Sequence, residues 1–292
     1  MRLATVEQGG RTKVVLVEPE NDSYYPLEAA LGEPVPDMLS VILRIDELRT
    51  SIERTRGTPI AGARLLAPIP RPPRNVICVG KNYHEHAQEF TRSGFDSSAK
   101  TPADAIPKAP IIFTKAPECV IGDGADIRYP CGASNCLDYE AELAVVIGRP
   151  GRSISKSAAY DHIFGYTIVN DVTARDLQER HKQWFLGKSL DTFCPMGPWL
   201  VTADEVDPED LSVKCWVNGE LRQNANTRDL IFDIPTLIET ISAGMTLLPG
   251  DVIATGTPAG VGIGFKPPRF LRPGDQVTIE IEGLGRLSNS IA

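Results

Sequence analysis

Several things are scarce or missing in this 292-residue sequence. No apolar run approaches the roughly 20 residues of a membrane span. The opening Met1-Arg2-Leu3-Ala4-Thr5-Val6-Glu7-Gln8 lacks the apolar core of a signal peptide. The expectation is a soluble, cytoplasmic protein with no membrane partner. No basic run or aromatic-plus-basic stripe offsets the net charge of −8, which argues against a nucleic-acid partner. The six cysteines form no Cys-x-x-Cys pair, and no histidine stands near them at zinc spacing. A thiolate zinc site is therefore not expected, and the thiols are read as reduced and mostly buried. Nothing singles out one of them as a nucleophile.

What is present is ordinary for a globular chain: 42% hydrophobic and 23% charged residues. The length suits one large domain, or one large and one small. Residues 1–70 read as a small N-terminal α/β domain. Two alternating stretches, 3–7 and 13–17, flank Gly9-Gly10 as in a hairpin. Residues 37–50 carry apolar positions at nearly helical spacing. The proline-rich stretch 68–74 reads as a stiff linker. From 71 to 292 the sequence is strand-rich with few long helices, and it lacks the regular strand–helix alternation of a doubly wound sheet, so the fold class is α+β. Strands are expected at 75–80, 111–115, 140–148, 165–171, 199–203, 212–217, 252–255 and 276–282, and helices at 157–163 and 235–241. Asn82, with Glu85 three residues on, has the form of a capping box opening a short helix. Thr173 and Asp176 have the same form before a helix running to about His181. Residues 93–110, rich in Ser, Ala, Pro and Lys, read as a long loop of the kind that forms lids.

The most informative stretch is Leu137-Asp138-Tyr139-Glu140-Ala141-Glu142-Leu143-Ala144-Val145-Val146-Ile147-Gly148. It ends as a buried strand but begins with three acids in five residues. Alternation puts Glu140 and Glu142 on one face. Two adjacent carboxylates on an apolar strand repel each other and are costly to desolvate. Either the strand end is wet, or a divalent cation holds the pair. Asp171, where a strand gives way to a helix, would complete a set of three oxygen donors; the alternative is that it caps that helix, a role for which Thr173 is better placed. Such a set selects a hard cation, Mg²⁺ or Mn²⁺.

Other candidates are individually ambiguous. His86 and Glu89 are three apart and share a helix face, as a general base and its orienting carboxylate would, or as a solvated surface pair would. Lys188, in Leu186-Gly187-Lys188-Ser189, could stabilise an enolate or hold a carboxylate, or simply be exposed. The loop Ala254-Thr255-Gly256-Thr257-Pro258-Ala259-Gly260-Val261-Gly262-Ile263-Gly264 matches neither phosphate-binding fingerprint. Its glycines permit close approach to a ligand, and Thr257 could donate to a carboxylate; a structural hairpin has the same composition.

Taken in order, six motifs resemble the fumarylacetoacetate hydrolase family over roughly residues 75–290. They are Val79-Gly80-Lys81-Asn82-Tyr83, Glu140-Ala141-Glu142-Leu143, Asn170-Asp171-Val172-Thr173-Ala174-Arg175-Asp176, Gly187-Lys188-Ser189-Leu190-Asp191, Val217-Asn218-Gly219-Glu220 and Gly256-Thr257-Pro258-Ala259-Gly260-Val261-Gly262. The resemblance implies a mixed β-roll core behind a smaller N-terminal domain, and a homodimer. It implies Mg²⁺ or Mn²⁺ on Glu140, Glu142 and Asp171, with Lys81, Tyr83, Arg175, Gln178 and Thr257 contacting the substrate alongside Lys188. In the acylpyruvase and oxaloacetate decarboxylase branch the catalytic dyad falls on His86 and Glu89, and Lys81 stands where that branch usually has arginine. The implied activity is hydrolysis of a C–C bond in a 2,4-dioxo acid such as fumarylpyruvate. Oxaloacetate decarboxylation, and isomerisation or decarboxylation of 2-hydroxyhepta-2,4-diene-1,7-dioate, are the alternatives. A non-catalytic keto-acid- or metal-binding homologue is the third reading.

Overall fold

The computed structural model describes residues 1–21, 23–54, 59–96 and 104–292. The fold is α+β and strand-rich, as expected, and it is built on a mixed eleven-stranded sheet and a four-stranded antiparallel sheet. Ala141–Ile147 runs through the middle of the large sheet and is buried on both faces, which is why its sequence is apolar without interruption after Glu142. It pairs antiparallel with Ile163–Asn170 on one side and Val252–Ala254 on the other. Val252–Ala254 then runs parallel to Val76–Gly80, and Ile111–Lys115 follows antiparallel beyond it. The four-stranded sheet contributes Val213, Cys215, Ile279 and Leu287 to the same core as Leu143, Val145 and Ile168. Burying aliphatic side chains of this size contributes about 1.5–3 kcal/mol each.

The N-terminal hairpin forms as expected, with Gln8 opposite Arg11 and both turn glycines at positive φ. Its first strand, Arg2–Gln8, also pairs with Cys194–Thr202, so residues of the expected N-terminal unit extend the large sheet. The stretch 68–74 is tied to the large sheet at both ends. Thr5 Oγ1 donates to Pro68 O at 2.6 Å, and Arg74 pairs with Asp251. The helix Met38–Arg54 starts where expected, with Asp37 Oδ1 accepting from Ser40 N at 2.8 Å. The helix Ile234–Ser242 shows the same logic in the second half. Asp233 accepts from Thr236 N, Pro235 occupies the first turn, and Ile234, Leu237, Ile238 and Ile241 are buried.

Both expected capping boxes are absent. The helix His84–Ser93 begins without a side-chain cap. The Asn82 amide instead donates to Phe232 O (3.0 Å) and Thr255 O (2.8 Å) and accepts from Phe232 N (2.8 Å), tying three loops together. Thr173 sits on a two-residue strand opposite Asp138, and the helix Arg175–His181 also starts uncapped. Thr173 donates to Asp171 O at 2.8 Å. For Asn82 tertiary partners replace the cap, and for Thr173 a bond back to Asp171 O does. Of the loop expected over 93–110, residues 97–103 lie outside the described residues. Among the described residues, no helix is long and apolar enough to cross a membrane.

Candidate metal centre and active site

Three elements place the acids. The chain breaks at Tyr139–Glu140 before entering Ala141–Ile147, which delivers Glu140 and Glu142 to one face. Ile163–Asn170 lies alongside, with Asn170 opposite Ala141, so Asp171 arrives one residue past the strand end next to the pair. Asp171 N donates to Glu140 O at 2.9 Å, and Asn170 Oδ1 accepts from Glu140 N at 3.1 Å, which locks the two strand ends together. One carboxylate oxygen from each of Glu140, Glu142 and Asp171 lies within 4.8 Å of the others, and all three residues are buried. The wet-strand-end reading is therefore wrong. Three buried, all-oxygen donors fit a hard divalent cation and do not suit a soft one.

Buried cations surround the triad. Lys188 Nζ is 2.9 Å from Glu140 and 2.7 Å from Asp171. Arg175 reaches Glu140 at 2.6 Å and Asp138 at 2.9 Å. Lys115, with no exposed surface, reaches Asp171 at 2.6 Å and also donates to the backbone carbonyls of Val172 and Lys188. Four acids (Asp138, Glu140, Glu142, Asp171) thus meet three cations (Lys115, Arg175, Lys188), and among the described residues Glu142 has no cationic neighbour in hydrogen-bond contact. There it accepts from Gly256 N alone, at 2.9 Å. The electrostatics follow. Burial would raise the Glu140 carboxyl, but Lys188 and Arg175 overcome it and hold the group at about 2. Burial, reinforced by Asp171 and Glu140, pushes Glu142 well above the carboxylate range. Burial works against the Lys115 ammonium, and Asp171 more than offsets it, leaving it raised. A divalent cation held by the triad would supply the positive charge that Glu142 lacks.

Lys81, His86, Glu140, Glu142, Arg175, Gln178, Lys188 and Thr257 line one pocket, walled by Phe90, Phe113 and Trp184. Lys188 Nζ sits 5.0 Å from the Phe113 ring centroid, and the Arg175 guanidinium 5.6 Å from that of Phe90. His86 Nδ1 is 3.3 Å from Glu89 Oε2, on one face of the helix His84–Ser93. Glu89 in turn accepts from Gly260 N at 3.1 and 3.2 Å. With Nδ1–H given to Glu89, the lone pair lies on Nε2, the arrangement of a general base. Lys81 lies at the pocket with φ 57°, its ammonium on Asp96 at 2.8 Å and Thr91 at 3.2 Å. Tyr83 lies elsewhere: it is buried but lines a neighbouring cleft with His84 and Asp229.

Three residues of the site were not singled out from sequence. Asp138 was one of the three clustered acids, yet it faces away from the triad. It accepts from Gly262 N (2.6 Å), Ile263 N (3.1 Å) and Arg175, and so anchors both the glycine-rich loop and the pocket arginine. Lys115 was visible only as a charge ending a short apolar strand. Gln223 gave no signal.

Comparison with known proteins agrees with this geometry. The fumarylacetoacetate (FAA) hydrolase C-terminal family matches residues 75–292. Oxaloacetate tautomerase YisK of Bacillus subtilis is 56% identical over 233 residues, 80% of this chain and 74% of that protein. Fumarylacetoacetate hydrolase EaFAH from psychrophilic Exiguobacterium antarcticum has a TM-score of 0.86 at 43% identity, covering 100% of this chain and 99% of that one. Maleylpyruvate hydrolase from Sphingobium sp. SYK-6, in complex with manganese(II) ion and pyruvate, has a TM-score of 0.80 at 34% identity, covering 100% and 99%. With the family matching 75–292 and a relative 56% identical, this chain belongs to the fumarylacetoacetate hydrolase family of enzymes.

Proposed function

We propose that this chain is a divalent-metal-dependent enzyme that interconverts the keto and enol forms of oxaloacetate or a close 2-oxo dicarboxylate. The carrying observation is that Glu140, Glu142, Lys188 and His86 line one pocket, with Asp171 beside Lys188 and Glu89 beside His86 just behind them. Its 56% identity to an oxaloacetate tautomerase supports this over the C–C hydrolysis expected from sequence. Mg²⁺ or Mn²⁺ held by Glu140, Glu142 and Asp171 supplies Lewis acidity toward a 2-oxo acid. Lys188 and Arg175 add positive charge where enolate character develops. The Thr257 hydroxyl and Lys81 orient carboxylates. His86 Nε2 takes the proton from C3 as the enol forms, and Glu89 steadies the imidazolium until the proton is returned to oxygen. A cytoplasmic homodimer is the proposed form.

A tautomerase needs one proton relay; a hydrolase also needs an attacking water. Hydrolysis of an acylpyruvate is the second reading, supported by the likeness to a maleylpyruvate hydrolase, with His86 then taking its proton from water. Decarboxylation of oxaloacetate and isomerisation of a dienoate draw on the same enolate stabilisation. The test follows the ultraviolet absorbance of enol oxaloacetate with protein and Mn²⁺, with pyruvate and acylpyruvate cleavage assayed in parallel. The expected result is accelerated loss of the enol without proportionate pyruvate, slowed about 10²–10⁴-fold in His86→Gln. No acceleration, together with cleavage of an acylpyruvate, transfers the assignment to the hydrolase.

A further inference from the structure

One fully buried polar side chain lies between the metal strand and the glycine-rich loop. Gln223 is the single buried residue of the strand Glu220–Asn226, whose other residues are exposed or half-buried. Pairing opposite buried Cys215 sets it on the core face of the four-stranded sheet. A glutamine there is costly unless its amide is satisfied, and it is. Oε1 accepts from Ala141 N at 3.1 Å, and Ala141 is the residue between Glu140 and Glu142. Nε2 donates to Thr257 Oγ1 at 2.8 Å and to Pro258 O at 2.8 Å.

These partners fix the amide's orientation. Reversing it would set N–H against the Ala141 N–H and oxygen against the Pro258 carbonyl. Thr257 Oγ1 is therefore an acceptor toward Gln223, and its one hydrogen must point elsewhere. Thr257 lines the pocket, and its hydroxyl donates to no partner among the described residues. We infer that Gln223 is a positioning residue: it holds the Thr257 hydroxyl as a donor aimed at the substrate carboxylate and registers that donor against the Glu140–Glu142 strand.

The inference rests on the keto-acid reading of the site for its ligand, and on the hydrogen-bond geometry alone for the positioning. Gln223→Glu keeps the shape and the bond from Ala141 N. Ionised, it can only accept toward Thr257; protonated, its one O–H goes to the Pro258 carbonyl, which cannot donate, so in either form the Thr257 hydroxyl hydrogen turns toward position 223 and away from the pocket. Binding of pyruvate to the Mn²⁺-loaded protein, read by calorimetry, should weaken about 10–100-fold, the loss of one hydrogen bond to a charged group. Thr257→Val should weaken it equally, and Gln223→Glu in the Thr257→Val background should weaken it no further. In turnover, KM should rise while kcat stays near wild type. Mn²⁺ affinity should be unchanged, which a generally loosened site would not give. Multiplicative losses in the double variant, or unaltered pyruvate binding in Gln223→Glu, would overturn the inference. A wild-type protein that binds no pyruvate with Mn²⁺ counts against the keto-acid reading instead. The positioning is then decided without ligand, by urea unfolding of Gln223→Met, Thr257→Val and the double variant. Non-additive losses support the bond, and additive ones refute it.

Discussion

Neutralising Glu142 should separate the folding role of the carboxylate triad from its metal role. Glu142 is the acid left over when Lys115, Lys188 and Arg175 have paired with Asp138, Glu140 and Asp171. Among the described residues its one hydrogen bond comes from Gly256 N, and the oxygen of a glutamine can accept that bond as well. Burial and the two neighbouring acids already favour its neutral form. Glu142→Gln should therefore fold with a stability within about 1 kcal/mol of wild type when chelator is present, since no ion pair is broken and the shape is kept. With Mn²⁺ the two proteins should diverge. Wild type at 100 times its dissociation constant gains about 2.7 kcal/mol. For a chain of this size that is a rise in melting midpoint of about 4 °C. Losing one of three ligands, and with it a factor of about 100 in affinity, leaves about 0.4 kcal/mol at the same Mn²⁺ concentration. The assay is a melting series for both proteins, in chelator and across Mn²⁺. If Glu142→Gln is strongly destabilised in chelator, Glu142 has a cationic partner in the fold and the charge count is wrong. If it still gains the full wild-type shift with Mn²⁺, Glu142 is not a ligand.

The remaining expectations test the elements around the triad. Lys115→Met leaves Asp171 with Lys188 alone, which is already shared with Glu140, and should cost about 1–3 kcal/mol by urea unfolding in chelator; wild-type stability would show that Lys115 carries no net load. A Cβ at Gly264 would lie 1.8 Å from Glu89 Oε1, so Gly264→Ala should push Glu89 off the Gly260 amide and His86. Turnover should fall toward that of His86→Gln while Mn²⁺ binding is kept, and unchanged kcat would remove Glu89 from the dyad. The hydrogen bond from Arg49 holds the Asp204 carboxyl down at about 2. Its stabilisation is present above the unfolded value near 3.8 and is lost as pH falls toward 2. Both side chains are partly exposed, so screening limits it to about 1 kcal/mol at most. Arg49→Ala should remove that part of the acid dependence in melts between pH 4 and 2.

How far the site was legible follows from the range of the forces that build it. Glu140 and Glu142 could be found because strand alternation is local, and a pair of acids on an apolar strand breaks the pattern in plain view. His86 and Glu89 were legible for the same reason at helical spacing. Asp138 is the instructive failure. Alternation alone would put it on the face of Glu140 and Glu142, two residues earlier. The chain leaves the strand between Asp138 and Ala141, because the Asp138 carboxylate has better partners in the Gly262 and Ile263 amides, 124 and 125 residues away. Asn82 fails in the same way. Its capping-box spacing was real, but Thr255 and Phe232 take its amide. Both residues end up fastening the stretch that carries Thr257 and Gly260: Asp138 ties it to the strand leading to Glu140, and Asn82 ties it to Phe232. Polar side chains whose local role goes unfilled here are the ones that join the glycine-rich loop to the triad. That junction sets the Glu142–Gly256 and Glu89–Gly260 hydrogen bonds together. A change in this loop therefore reaches the carboxylate triad and the His86–Glu89 pair at once.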